Sequence, residues 1–365
     1  ISHQGDLTVS ALYRVSEKPE RPCLCKQSGG NRGEVMQEKR KIGSLIDVTP
    51  VGLGCMGFSH AYGAPTERKE AVGMIRKAYE MGYDFFDTAE CYTGINADGS
   101  TSYNEELVGE ALKDVRSKVV IATKFGVRHS PEGLLMDSKP ETIRKSVEGS
   151  LKRLGVDTID LYYQHRIDPK VEPEEVAETM KTLMKEGKIR AWGISETTED
   201  YLRRAHAVCP VSAVQNRYSM LAREHEKLFP VLEDLGVTLV AFSPLGNGFL
   251  TGKYNASSTF DAGLDYRSHM PQYTEDGFRA AEELMNLLKQ MSEERGATTG
   301  QISLAWMLCK KPYIVPIPGS RKEKRIRENL RAADIILTTD EVKNIDEKLD
   351  HMEMSAVFGG SPMKK

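Results

Sequence analysis

The sequence predicts an α/β protein, a (β/α)8 or TIM barrel, and two observations support this fold class. The chain of 365 residues is long enough for one such domain. From Lys41 onward, eight short apolar runs alternate with amphipathic stretches of helical period. Strands joined by helices of this length pair in parallel with right-handed crossovers. Because a doubly wound sheet uses the same alternation, the pattern favours a closed barrel without requiring one.

The apolar runs have the length and composition of buried strands. Several of the intervening helical stretches end at a glycine, the residue that most often follows a helix C-terminus. These glycines are Gly82, Gly155, Gly187 and Gly236. The predicted strands are residues 48–54, 83–89, 119–125, 159–165, 189–195, 211–215, 237–243 and 313–318.

Other segments lie outside a minimal barrel. Residues 40–50 predict a small N-terminal hairpin that plugs the barrel floor. Residues 338–351 predict an extra C-terminal helix, with a threonine cap and acidic residues in its first turn. Residues 247–276 predict a loop over the barrel mouth. Residues 1–35 lack periodicity and predict a disordered leader or an extension of artificial origin, which leaves 36–365 as the single barrel domain.

The composition excludes several classes of function. The net charge is −3 and no basic stripe is present, which argues against nucleic acid as a partner. No apolar run approaches the roughly 20 residues that span a bilayer. Six cysteines without a C-x-x-C motif favour a reducing cytoplasm, and eight dispersed histidines argue against a metal site. The composition does not fix the oligomeric state.

One glycine motif suggests a dinucleotide-binding loop, and its context argues against that interpretation. Residues 52–57, GLGCMG, match G-x-G-x-x-G after a predicted strand. In a Rossmann unit the third glycine begins a helix that holds pyrophosphate. Here Gly63 and Pro65 prevent a helix until about Thr66, and the acidic residue expected about twenty positions later is misplaced.

Polar side chains follow successive predicted strands. Asp87 ends the second strand, with Tyr92 five residues later, Lys124 lies in the third, and His165 ends the fourth. Each alone has an ordinary structural explanation, such as a helix cap, a snorkelling lysine or a satisfied core histidine. Because the carboxyl ends of barrel strands meet at one mouth, we expect the four side chains to lie together.

This combination of groups is suited to proton transfer during carbonyl reduction. A tyrosine, with an ordinary pKa of about 10, is a poor acid–base catalyst at neutral pH unless a cation stabilises its phenolate. Lys124 is predicted to supply that cation and so to lower the pKa of Tyr92. Asp87 is the predicted counter-ion. His165 is predicted to hydrogen-bond the substrate oxygen.

Seven motifs in this chain resemble those of the aldo-keto reductase superfamily, from about Lys41 to Met352. The motifs are most similar to those of the general bacterial, fungal and plant branch of this superfamily. The resemblance implies an NADPH-dependent enzyme that reduces small aldehydes or ketones, with Tyr92 as general acid. The motifs are GYDFFDTAECY, NEELVGEALK, IATKFG, LKRLGVDTIDLYYQH, GKIRAWGISE, FSPLGNGFLTGK and PIPGS.

The resemblance also implies a set of coenzyme contacts, and two of them depart from the family pattern. Glu196 stands where the family more often has asparagine, and Phe242 where a tyrosine usually stacks on the nicotinamide. Ser320, Arg321 and Arg325 correspond to the site of the 2′-phosphate of NADP. The implied contacts are Gly54, Cys55, Met56, Ser195, Glu196, Gln215, Phe242, Ser243, Pro244, Leu245, Gly246, Asn247, Lys253, Ile317, Gly319, Ser320, Arg321, Arg325, Glu328 and Asn329.

The sequence also suggests residues for a substrate pocket and leaves two alternative functions open. Phe58, Tyr62 and Trp192 are candidates for an apolar pocket. One alternative is a regulatory or binding protein on the same barrel, such as the potassium-channel β subunits, which carry asparagine where this chain has His165. A second is a barrel lyase or hydrolase that binds a phosphorylated substrate at Ser320 and Arg321, which leaves Tyr92 without a purpose.

Overall fold

The computed structural model describes residues 38–131 and 133–352. The predicted leader, 1–35, lies outside the described residues, as do Cys23 and Cys25. The strands are β1 (Arg40–Ile42), β2 (Ile46–Val48), β3 (Leu53–Gly54), β4 (Phe85–Asp87), β5 (Thr93–Ile95), β6 (Thr101–Tyr103), β7 (Val120–Phe125), β8 (Val127–Ser130), β9 (Gly133–Met136), β10 (Ile159–Gln164), β11 (Ile189–Ser195), β12 (Ala213–Arg217), β13 (Thr238–Phe242) and β14 (Ile314–Pro316). The α-helices are α1 (Arg68–Glu80), α2 (Asn104–Leu112), α3 (Pro140–Leu154), α4 (Pro173–Lys185), α5 (Glu199–Val208), α6 (Phe229–Leu235), α7 (Glu275–Ala280), α8 (Glu282–Arg295), α9 (Thr299–Lys310), α10 (Glu323–Leu330) and α11 (Thr339–Asp350).

The predicted barrel is confirmed. Eight parallel strands form one sheet in the order β3, β4, β7, β10, β11, β12, β13 and β14. The first and last of them meet, because the N–H of Gly52 donates to the carbonyl of Pro316 at 2.9 Å. Gly54 and Gly319 make this approach possible, since a Cβ on Gly54 would lie 2.7 Å from the carbonyl oxygen of Ile317.

Side-chain alternation along the strands divides the core into two layers. Inside the barrel, a cluster that includes Phe85, Ala122 and Ala213 fills the centre, while a larger cluster packs between strands and helices. Because successive side chains point to opposite faces of a strand, a residue two positions beyond an inner residue is also inner. At the carboxyl ends, this alternation points five polar residues inward. They are Asp87, Lys124, His165, Ser195 and Gln215.

The two additions to the barrel are also confirmed. The β1–β2 hairpin attaches to the start of β13, where the Thr238 hydroxyl donates to the carbonyl of Lys41 at 2.8 Å and accepts from Gly43 at 3.0 Å. Its apolar residues join the inner cluster, so the hairpin covers the barrel floor. At the other end of the chain, Thr338 and Glu341 form the capping box that begins α11.

The segments at the mouth were only partly predicted. Two hairpins, β5–β6 and β8–β9, follow β4 and β7, and the sequence analysis did not predict either. The predicted loop 247–276 contains short 3-10 turns and ends in the first two residues of α7, and it hydrogen-bonds to the segment after β3. In that segment a single 3-10 turn follows β3, and α1 begins only at Arg68, as expected for a glycine motif that does not open a helix.

Two features are absent from the described residues. No helix in residues 38–131 or 133–352 is long and apolar enough to cross a membrane. Within the same ranges, no group of three or more His, Cys, Asp or Glu side chains is placed to hold a metal ion.

The contact between α2 and α3 generates a prediction about stability. A Cβ on Gly109 would lie 2.2 Å from the carbonyl oxygen of Leu154, whereas a Cβ on exposed Gly73 in α1 would meet nothing within 4 Å. Gly109→Ala should therefore force the helices apart and lower the free energy of unfolding by about 1–3 kcal/mol. Gly73→Ala should raise it by about 0.5–1 kcal/mol. The midpoints of urea unfolding measure the stability of both variants. Equal midpoints for Gly109→Ala and Gly73→Ala would contradict this packing.

Candidate active site

The side chain of Lys124 organises the polar groups at the barrel mouth. It is fully buried, and its ammonium contacts three oxygens. It donates to Oδ1 of Asp87 at 2.6 Å, to the carbonyl of Thr88 at 2.7 Å and to the hydroxyl of Tyr92 at 3.3 Å. Since an ammonium has three donors, all of them are satisfied. Three of the four predicted catalytic residues are therefore joined by direct hydrogen bonds.

The charges of this cluster follow from its burial and its contacts. Burial alone would lower the pKa of Lys124, but the carboxylate of Asp87 and the hydroxyl of Tyr92 raise it above its ordinary value. Lys124 is therefore an ammonium at neutral pH. Burial raises the pKa of Tyr92 to about 12, and Lys124 opposes that rise. Lys124 thus lowers the pKa of Tyr92 only in comparison with a buried tyrosine that has no cation beside it. The pKa of Tyr92 still lies above its ordinary value, contrary to the expectation from the sequence.

His165, the fourth predicted residue, lies beside Tyr92. The two rings meet edge to face, with centroids 5.7 Å apart. Burial, with the nearby charges of Arg166 and Lys124, lowers the pKa of His165 well below its ordinary value, so its imidazole is neutral. Its Nδ1 lies 3.4 Å from Sγ of Cys91. Within residues 38–131 and 133–352, Nε2 makes no hydrogen bond with the protein.

A second group of side chains lies across the mouth from Tyr92, at the ends of β10, β11 and β13. The guanidinium of Arg166 donates to the carbonyl of His165 at 2.6 Å and to the hydroxyl of Ser195 at 3.1 Å. It also lies 5.9 Å from the centre of the half-buried ring of Phe242. Gln215 connects the two groups, because its amide donates to Oδ2 of Asp87 at 2.7 Å.

A basic site follows β14, before and within the first turns of α10. Arg321 donates to the carbonyls of Tyr62 and Ala64, in the segment after the neighbouring strand β3. Arg325 pairs with both carboxylate oxygens of Glu328, at 2.7 and 2.9 Å. These arginines lie where the sequence placed them, but each already has a protein partner. An anion bound here must compete with those partners.

Comparison with known proteins shows the family of this chain. The model of the aldo/keto reductase family matches residues 50–350. The chain is 38% identical over 326 residues to aldo-keto reductase str7 of Strobilurus tenacellus, covering 86% of this chain and 93% of that protein. It is 37% identical over 324 residues to aldo-keto reductase yakc [NADP(+)] of Schizosaccharomyces pombe, covering 86% and 92%. The chain belongs to the aldo/keto reductase family.

A solved structure of this family has the same fold. The glycerol dehydrogenase AKR11B4 of Gluconobacter oxydans superimposes with a TM-score of 0.77 at 29% identity, and the match covers 89% of this chain and 98% of that one. The agreement extends over nearly the whole of the solved protein. The barrel described above is therefore the fold of an aldo/keto reductase.

Three predicted contact residues of this aldo/keto reductase are buried in the outer cluster, between strands and helices. Trp192 is fully buried in the layer between strands and helices, because it lies three positions before inward-facing Ser195 and an odd separation places it on the opposite face of the strand. Phe58 lies in the same layer, 1% exposed, so of the predicted pocket residues only Tyr62 lies at the mouth. Cys55 is fully buried, with its N–H donated to Asp87 and its carbonyl accepting from Asn104.

The two departures from the family pattern have different surroundings. Glu196 has a left-handed backbone, with φ of 56°, and its carboxylate accepts from the N–H of Arg217 at 2.9 Å. Burial alone would raise its pKa, but hydrogen bonds from His225 and Arg217 hold the pKa of Glu196 below its ordinary value. Its carboxylate is thus already engaged by the protein. Phe242, in contrast, keeps part of its ring accessible at the mouth.

The segment after β13 turns sharply where the coenzyme contacts were predicted. Ser243 and Asn247 are both left-handed, with φ of 50° and 60°. The Asn247 side chain donates to the hydroxyls of Tyr62 and Tyr266, which holds the segment against the one after β3. The neighbouring predicted contacts are half-buried Leu245, buried Pro244 and Gly246, and exposed Lys253.

The remaining predicted coenzyme contacts are distributed around β3, β14 and α10. Gly54 and Met56 are half-buried after β3, and Gly319 and Ser320 are accessible after β14. Ile317 is buried inside the barrel, and Asn329 is buried on the inner side of α10.

Several residues of the site were missed by the sequence analysis. Arg166 directly follows the predicted His165, and Cys91 directly precedes Tyr92, so adjacency was an available signal for both. His60 also contacts Tyr92, with the two rings stacked 6.0 Å apart, and His129 lies 4.9 Å from His60. Their signal was weak, because each comes from a loop or hairpin that no motif predicts.

The contact between Cys91 and His165 predicts the tautomer of the imidazole. Burial raises the pKa of the Cys91 thiol to about 12, so at neutral pH the thiol keeps its proton, and we expect it to donate that proton to Nδ1. The proton of neutral His165 is then on Nε2. Nitrogen-15 NMR of the imidazole at pH 7 should show a protonated Nε2 and a bare Nδ1. Cys91→Ser should keep that pattern and Cys91→Ala should mix the tautomers, whereas a protonated Nδ1 in the native protein would contradict the assignment.

Proposed function

We propose that this aldo/keto reductase reduces small aldehydes or ketones to alcohols with NADPH, and that Tyr92 donates the proton. The observation that carries the proposal is the direct hydrogen bond between the buried Lys124 ammonium and the Tyr92 hydroxyl. It is supported by the Schizosaccharomyces pombe relative, whose name specifies NADP(+). A purely regulatory barrel protein has no need for a tyrosine held against a buried cation.

The residues at the mouth fit a nicotinamide dinucleotide. Phe242 offers an aromatic face beside the Ser195 hydroxyl, which suits a flat ring with a carboxamide. The left-handed turns at Ser243 and Asn247 are of the kind whose backbone N–H groups hold a pyrophosphate. Arg321 and Arg325 provide the charge for a 2′-phosphate. We therefore expect the nicotinamide end to lie near Tyr92 and the phosphate end near α10.

The chain's own residues control the proton in this reaction. The bound coenzyme supplies a hydride for the carbonyl carbon, and the oxygen then needs a proton. With a pKa of about 12, Tyr92 carries that proton at neutral pH. As the proton leaves, the phenolate forms 3.3 Å from the Lys124 ammonium, which stabilises it. Asp87 keeps Lys124 charged, and the Nε2–H of His165 is available to orient the carbonyl oxygen.

Replacement of Tyr92 tests the proposed acid. Tyr92→Phe should lower kcat for a simple aldehyde by about 10²-fold or more, the size of a general-acid contribution, while NADPH affinity changes little. Tyr79→Phe, on the outer helix α1, is the matched control and should retain normal rates. The measurement is NADPH oxidation followed at steady state. A Tyr92→Phe enzyme with near-normal kcat would eliminate this assignment.

The basic site after β14 predicts a preference for NADPH over NADH. Charge-assisted hydrogen bonds to a 2′-phosphate contribute about 1.5–3 kcal/mol each, and part of this is offset because Arg325 must leave Glu328. The native enzyme should still bind NADPH at least about tenfold more tightly.

The double variant Arg321→Ala with Arg325→Ala should remove most of that preference by weakening NADPH alone. Arg327→Ala is the matched control, because Arg327 is exposed on the same helix and pairs with Glu323. Fluorescence quenching by each coenzyme gives the affinities. Equal affinities of the native enzyme for NADPH and NADH would refute the assignment of this site.

A further inference from the structure

The β8–β9 hairpin has two faces, and its register defines them. Val127 pairs with Met136, and His129 pairs with Leu134. Directly paired residues in an antiparallel ladder project on the same side, and residues two apart share that side. These four side chains therefore lie on one face, which we call the inner hairpin face. Leu135, paired with Arg128, lies on the opposite face.

The inner hairpin face adjoins the proposed catalytic tyrosine. Val127 packs in a small cluster with Cys91, against which Tyr92 also packs. Farther along the strand, the ring of His129 lies 4.9 Å from that of His60. His60 in turn stacks on Tyr92, 6.0 Å away and tilted by only 16°. A continuous row of flat side chains thus leads from Tyr92 outward along the hairpin.

This row consists of aromatic rings near Tyr92 and of apolar side chains beyond His129. Burial, together with His60, lowers the pKa of His129, which favours its neutral form at pH 7. His60 is fixed by its Nδ1, 2.8 Å from the carbonyl of Thr93. Leu134 and Met136 extend the face and are 46% and 37% exposed. Exposed apolar side chains beside a site of chemistry commonly mark a surface that a ligand covers.

We propose that the inner hairpin face and His60 form the substrate wall of this enzyme, and that this wall selects carbonyl compounds with a planar, apolar body. The proposal rests on the proposed reductase function. The carbonyl oxygen lies at Tyr92 and His165, while the body extends along His60 and His129. An aromatic ring stacks on these imidazoles and covers Leu134 and Met136. A short aliphatic aldehyde does not extend that far.

The experiment compares two aldehydes across matched variants. Cinnamaldehyde carries a ring beyond its carbonyl, and propanal does not. Leu134→Ser with Met136→Ser should lower kcat/KM for cinnamaldehyde by about tenfold, the usual effect of lost apolar pocket contacts, and leave propanal within about twofold. Leu135→Ser is the control on the opposite face and should change neither. His129→Ala, a change at an exposed side chain, should act on cinnamaldehyde alone.

Saturation-transfer NMR with cinnamyl alcohol separates failure of the wall from failure of the reductase function. The native enzyme should show saturation transfer to the aromatic ring of the alcohol. If the Leu134 and Met136 double variant loses this signal and Leu135→Ser keeps it, the wall is supported even if no aldehyde is turned over. If the double variant lowers kcat/KM for propanal and for cinnamaldehyde by the same factor, the wall is overturned and the reductase function is left intact. Equal effects of Leu135→Ser and the double variant would also overturn it.

Discussion

The structure of this active site depends on one buried charge, the ammonium of Lys124. A lysine without solvent exposure is costly unless every donor has a partner and a counter-ion is present. Asp87, the Thr88 carbonyl and Tyr92 meet that requirement, and Gln215 holds the far oxygen of Asp87. The same contacts that make the charge tolerable also place it against the phenol. The contacts that stabilise the cluster are therefore the same ones that the proposed role of Tyr92 requires.

The barrel makes this arrangement possible, because parallel strands deliver side chains from distant parts of the sequence to one mouth. The fold class, the floor hairpin, the extra helix and the neighbourhood of Asp87, Tyr92, Lys124 and His165 could be predicted from strand period and from the residue types at strand ends. The same period explains the error at Trp192. Counted back from inward-facing Ser195, it falls on the outer face, so alternation alone would have excluded it from the pocket.

Other features could not be predicted, because they depend on contacts between segments rather than on a local pattern. The hairpin β8–β9 is short and its alternation is obscured by Gly133 and by exposed apolar residues. His60 and His129 meet only in three dimensions. The partners of Arg325 and Glu196, and the upward pKa shift of Tyr92, likewise depend on burial and geometry that the order of residues does not reveal.

The pH dependence of alcohol oxidation by NADP⁺ tests the role of Lys124 most directly. In the proposed mechanism oxidation needs the Tyr92 phenolate, so its rate rises with pH toward the raised pKa, and loss of the nearby cation must raise that pKa further. Lys124→Met should move the alkaline limb upward by about one pH unit or more, because it removes the charge that lowers the pKa of Tyr92. Lys118→Met, on the surface, should leave it in place. An unchanged limb in a folded variant that binds NADPH would contradict the account.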